Sequence, residues 1–143
     1  MVLLVLSGIT AFPIETQLAI ANNNLSSFPR FLQNWLHEVY VAVHTTNLKY
    51  PYLSYGTDWL AFAHLVIAVA FIGPLKDPVK NIWVIQFGMI ASLMVFPLAL
   101  IAGNIRGIPF YWQMIDCSFG FFGFLLLYVT YKNIVKLEKL KIL

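Results

Sequence analysis

The chain has 143 residues, 60% hydrophobic and 10% charged, with a net charge of +3 and a mean hydropathy of +0.78. A soluble domain needs about 25% charged residues to cover its surface, so a water-facing shell is excluded and lipid is the solvent for most of the chain. The Lys and Arg residues form no nucleic-acid patch. The lone Cys117 excludes an internal disulfide and a Cys-x-x-Cys dithiol.

The first stretch, residues 1–14, is apolar until Glu15. As a helix it reaches about 21 Å against a hydrocarbon core of roughly 30 Å. No basic region precedes it, which argues against a cleaved signal peptide. Two readings stay open, a short or tilted span and a segment that starts upstream; the first is adopted. Asn22 to Asn24 with Ser26 and Ser27 mark a loop, and Pro29 fits a first helical turn. Residues 28–46 are amphipathic, with Phe28, Leu32, Trp35, Leu36, Val39, Ala42 and Val43 on one side. Arg30, Gln33, His37 and His44 fall on the other, which predicts a helix lying in the membrane interface.

A turn-rich stretch then leads to Asp58 and a second span over 59–75, closed by Gly73-Pro74. A third span is expected over 82–105, with Pro97 as the kink site. The link GNIRGIP turns the chain into a fourth span over 110–131, followed by a basic amphipathic tail, KNIVKLEKLKIL. The predicted architecture is all-α: one membrane domain over 1–143, a four-helix transmembrane bundle with one interfacial helix.

Lys76, Lys80, Lys132, Lys136, Lys139 and Lys141 fall on one side of this topology, and Arg30, Lys49 and Arg106 on the other. The excess places the C-terminus in the cytoplasm and the interfacial helix on the non-cytoplasmic side. A bacterial inner membrane is the expected setting. Tyr50, Tyr52, Tyr55, Trp59, Tyr111 and Trp112 then lie at the outer boundary, and Trp83, Tyr128 and Tyr131 at the inner one.

The same topology gathers Glu15, Glu38, Asp58, Arg106, Asp116, His37 and His44 in the outer half, where ionisable groups face a cavity or a partner. Asp116, Asp58 and Glu15 are the candidate catalytic carboxylates. Arg106, His64, Gln113 and Trp59 are the candidate ligand contacts. Each has a plainer reading beside it. Asp116 pairs with Arg106 to pin the turn, Asp58 caps the second span, and Glu15 is a solvated helix end. His64 is a neutral, hydrogen-bonded interhelical contact. Gln113, Gly120 and Gly123 share nearly one side of the last span, a face expected to meet other helices. His37 and His44 lie two turns apart without the i, i+4 spacing of helical chelation, so no metal site is expected. No phosphate-cradling loop, nucleophile elbow or haem motif is present, and no cofactor is legible.

The segments YGTDWLAFAH, FIGPLKDP and RGIPFYWQMIDCSFG resemble a family of uncharacterised bacterial four-helix integral membrane proteins. In outline the architecture is similar to DoxX-like proteins and to the sterol-handling EXPERA group. The resemblance covers about half the chain and implies a compact four-helix fold, with no activity attached. Two functions are expected from the residues. The first is a binding protein or enzyme whose pocket opens to the non-cytoplasmic side for a lipid, quinone or isoprenoid entering from the bilayer. The second is a non-catalytic accessory subunit, docked on a membrane-protein partner or on further copies of itself.

Overall fold

The computed structural model describes residues 1–142, with side chains through Leu140; Leu143 and the Lys141 side chain of the basic tail lie outside the described residues. The described chain is all helical, 87% helix with no strand. Three continuous helical runs are long and apolar enough to cross a membrane, Pro51–Lys76, Ile82–Ile105 and Phe110–Leu140, and a bent pair at the N-terminus brings the number to four if it counts as one span. This is a membrane protein by length and composition of its helices. The chain divides into two compact units, Met1–Val69 and Ala70–Leu143.

In the first unit, α1 (Val2–Ala11) is followed by α2 (Ile14–Asn23), bent by 80°. The segment expected as a first span over 1–14 is thus a helix broken near its end, and it supplies a fourth span only if the bent pair counts as one. Pro13 has no N–H to donate to the preceding turn, so the ladder breaks at Phe12-Pro13. Alone, α1 rises about 15 Å, half a hydrocarbon core. The amphipathic segment forms α3 (Arg30–Lys49), three residues longer at its C-terminal end than expected, with Pro29 as its N-cap at ψ 145° rather than within its first turn. Leu32, Trp35, Leu36, Val39 and Val43 of its apolar side are partly covered, whereas Ala42 is exposed. A 3-10 turn, Pro51–Leu53, leads into α4 (Tyr55–Ala70). Gly8 of α1 lies against α4, where an added Cβ would stand 2.9 Å from the Ala61 carbonyl and 2.8 Å from Leu65.

In the second unit, α5 (Ile72–Lys76) continues the run past Phe71. Gly73-Pro74 thus does not close the helix. Pro74 falls in the first turn of α5, where its missing N–H costs little, and the irregularity moves upstream to Phe71. Asn81 caps the next helix region and its amide donates to the Gly73 and Asp77 carbonyls at 3.2 and 2.9 Å. Then α6 (Ile82–Pro97) passes into a π-helical turn, Leu98–Ala102, and into α7 (Gly103–Ile105). Pro97 and the π turn coincide, as expected where a missing donor shifts the hydrogen-bond register. The last helix, α8 (Phe110–Ile142), is one element of 33 residues, so span and basic tail are continuous. It packs along α6: a Cβ on Gly120 would lie 2.7 Å from the Ser92 carbonyl, and one on Gly88 would lie 2.9 Å from Leu127.

Candidate functional site

Two helix breaks build the polar site of the first unit. The Pro13 break starts α2 at Ile14, so Glu15 falls in its first turn and Asn22 two turns later. On α3, His37 and His44 are also two turns apart. Helices α2 and α3 run antiparallel through the Asn24–Pro29 turn, and the two pairs come into register. His37 Nδ1 lies 2.8 Å from Asn22 Oδ1, and His44 Nδ1 lies 2.7 Å from Glu15 Oε1. The side of α3 expected to face water is in part the seam with α2.

The Glu15 end of this seam extends into a chain of hydrogen bonds. The Asn47 amide donates to Glu15 Oε2, and the Ser54 hydroxyl donates to Asn47 Oδ1. Glu15 lies past the Pro13 break and outside the three long apolar runs. Hydrogen bonds from Asn47 and then His44 hold its carboxyl below the ordinary carboxylate range. Tyr40 stacks on His44 at a centroid distance of 5.5 Å, so the ring is fixed on one face as well as at Nδ1. Beside the chain lies a cavity of about 270 Å³, lined by Asn47, Ser54, Thr46 and Thr57 and by apolar Ile14 and Val43. Asn47 and Ser54 were not among the expected site residues. The sequence signal available for them was the run of polar side chains after His44, which reads equally well as a solvated helix end.

Asp58 is placed differently from the expectation. Helix α4 begins at Tyr55, so Asp58 sits inside its first turn, and its backbone N–H donates to the Ser54 carbonyl at 3.1 Å. It is not the cap. Among the described residues no hydrogen bond or ion pair engages its half-buried carboxylate. Asp58 borders a second, open and largely apolar cavity of about 300 Å³ with Phe12, Tyr55, Trp59 and Phe62. Trp59, the chain neighbour of Asp58, lines the same cavity, whereas Glu15 lines neither cavity directly. His64, farther along α4, lines neither, and its buried Nδ1 has no hydrogen-bond partner. The bonded interhelical contact expected there is not made at that atom.

In the second unit the turn before α8 explains the remaining three residues. Gly107 has φ +68°, a left-handed conformation that glycine adopts freely. Its N–H donates to the Asn104 carbonyl and the Ile108 N–H to the Gly103 carbonyl, a Schellman closure of α7. Gln113, only 1% exposed, pins this turn to α8. Its amide nitrogen donates to the Ile108 carbonyl at 2.8 Å and to Asn104 Oδ1 at 3.2 Å, while Oε1 stays buried without a partner. The expected Arg106–Asp116 pin is absent among the described residues. Arg106 lies at the C-cap of α7 and is exposed, Asp116 is half-buried on α8, and Gln113 holds the turn in their place.

Among the described residues no three His, Cys, Asp or Glu side chains come together as a metal-binding group. No family model, curated protein or solved structure matches the chain. The family resemblance of its sequence therefore rests on the quoted segments alone.

Proposed function

We propose that the chain is a membrane-embedded binding protein for a small amphiphile, a lipid, quinone or isoprenoid, held in the cavity beside Glu15. The observation that carries this reading is the composition of that cavity. Its lining joins apolar Ile14, Ala42, Val43 and Leu53 with the polar residues Thr46, Asn47, Ser54 and Thr57. A ligand with a hydrogen-bonding head and an apolar body satisfies both, the usual balance of a small-molecule site. Glu15 and His44 fix Asn47, and so fix part of the polar lining before ligand arrives.

Binding is favoured over catalysis by the connectivity. The Ser54 hydroxyl is bonded to Asn47 and not to His44, so the four residues do not form a nucleophile–base relay. The accessory-subunit reading draws on the exposed aromatic stretch of Tyr52, Tyr55 and Trp59. It calls for a filled polar half, which two cavities in one small unit do not favour. By the excess of basic residues, Lys76, Lys80 and the tail lie in the cytoplasm of a bacterial inner membrane, and the Ser54 end of the Pro51–Lys76 run faces the other side. The interfacial lie of α3 and a four-helix bundle complete this topology.

Photolabelling tests the proposal. The full chain in lipid nanodiscs is exposed to a diazirine-bearing long-chain alcohol and to a diazirine-bearing benzoquinone, and adducts are mapped by mass spectrometry. With either probe, adducts are expected to concentrate between Ala42 and Thr57. Ala42→Phe, which fills the cavity from an exposed position without touching the hydrogen-bond chain, is expected to remove them. Labelling spread evenly over the apolar helices and indifferent to Ala42→Phe defeats the reading.

A further inference from the structure

We infer that the groove at the start of α4 binds a quaternary ammonium group, with Asp58 as counter-charge and the surrounding rings as walls. The groove is separate from the cavity beside Glu15, and the inference stands without the preceding one. Its walls are Phe12, Tyr55, Trp59 and Phe62. Tyr55, Trp59 and Phe62 form an edge-to-face series, with centroids 6.0 and 5.9 Å apart and interplanar angles of 80° and 88°. Successive rings at right angles present faces in different directions, as a cage requires, whereas a parallel stack buries its faces against itself. All four residues remain between 45% and 61% exposed, so each has surface left open to a ligand.

Aromatic side chains at a helix end are also what a membrane-interface belt looks like. Asp58 separates the two cases. An interface belt needs no acid, and an acid in an apolar wall needs a partner. Asp58 is not the helix cap, and its carboxylate has no hydrogen-bond or ion-pair partner among the described residues. The charge it calls for is positive, and the chemistry of the walls restricts which cation fits. Calcium or magnesium requires six or more oxygen ligands, and the groove offers at most one carboxylate and the Tyr55 hydroxyl among mostly apolar atoms. A primary ammonium brings three N–H donors that each need an acceptor. A quaternary ammonium has no donor to satisfy, spreads its charge over methyl groups, and is attracted by ring faces. One acid and four rings suit it and leave nothing unpaired. The source is either a choline-type lipid headgroup at the bilayer surface or a free quaternary amine.

The test uses the full chain in a maltoside detergent, which carries no ammonium. Ligand-detected NMR titrations of the N-methyl signal are run with choline chloride and with dihexanoyl phosphatidylcholine. The neutral isostere of choline, 3,3-dimethyl-1-butanol, is the comparison. Choline, the lipid or both should bind, the isostere about tenfold more weakly or not at all. Asp58→Asn and Trp59→Leu should each weaken binding by about tenfold, with circular dichroism confirming that the helices remain. Binding of the lipid alone assigns the site to a headgroup; binding of choline as well assigns it to soluble amines. Equal binding of the isostere, no binding of either ammonium, or full affinity in folded Asp58→Asn overturns the inference. The isostere comparison decides on the wild-type chain even if a variant fails to fold.

Discussion

Gly120 is where the structure makes its sharpest demand on the sequence, and Gly120→Ala measures it. Helix propensity alone says the substitution should help, since alanine is favoured over glycine by about 1 kcal/mol in a helix interior. The packing says otherwise. The new Cβ would stand 2.7 Å from the Ser92 carbonyl, 3.1 Å from Val95 Cβ and 3.3 Å from the Phe96 ring. The nearest of these is backbone and cannot turn aside, so α6 and α8 must separate. Overpacking of this kind costs roughly 1–3 kcal/mol. The propensity gain offsets about 1 kcal/mol of it, which leaves a net loss of up to about 2 kcal/mol, or a fall of up to roughly 8 °C in Tm for a chain of this size. Cys117, 8% exposed and nearly one turn before Gly120 on α8, supplies the assay, because a thiol-reactive fluorophore labels it as its surroundings open on heating. Gly56→Ala is the matched control. It also lies in a helix, in the first turn of α4, and an added Cβ there meets nothing within 4 Å. Its Tm should hold or rise. If Gly120→Ala rises with it, the α6–α8 approach is not as close as described and the argument fails.

Gln113→Leu should loosen the turn before α8. It removes the donors to Ile108 and Asn104 at about 1–3 kcal/mol, partly offset by deleting the unpartnered buried oxygen. The expected result is a lower Tm with faster amide exchange over residues 104–109, and unchanged exchange there counts against the pin. The Glu15 seam should be sensitive to acid. Its folded carboxyl is held below the ordinary range, so its stabilising contribution is fully present above the unfolded value and is lost as pH falls through the folded one. Exchange at α2 and α3 should be flat from neutral pH to about 5 and quicken below about 4, relative to the pH dependence of exchange chemistry itself. Glu15→Gln should abolish that acid step, and a step of the same size in the variant would assign it to another carboxylate.

The parts of this molecule that sequence predicts well are those in which one physical quantity dominates. The runs over 82–105 and 110–131 are legible because transfer to lipid outweighs every local preference along them, and Pro97 marks the irregular turn because a missing N–H acts wherever it sits. Where two local rules compete, prediction from sequence slips. Pro13 was near enough to the end of an apolar run to pass for its terminus, yet α2 continues through Glu15 to Asn23. Asp58 after Gly56-Thr57 satisfied the pattern of a cap. The cap position went instead to the residues before Tyr55, because the 3-10 turn at Pro51–Leu53 starts the helical run earlier. That shift turns a satisfied carboxylate into an unsatisfied one.

The candidate site was legible as a set of residue types and not as a set of partners. Glu15 finds its partner in His44, a residue whose spacing from His37 suits no metal. The same spacing is what lets a two-turn seam repeat between antiparallel helices: Asn22 with His37, Glu15 with His44. Spacing along one helix carries no information about the helix opposite, so the seam could not be read until both were placed. For Arg106 and Asp116, opposite charge suggested a pair. The Schellman turn at Gly107 leaves Arg106 exposed at the C-cap and gives the pinning role to an uncharged amide, which in a buried setting avoids the desolvation cost of an ion pair.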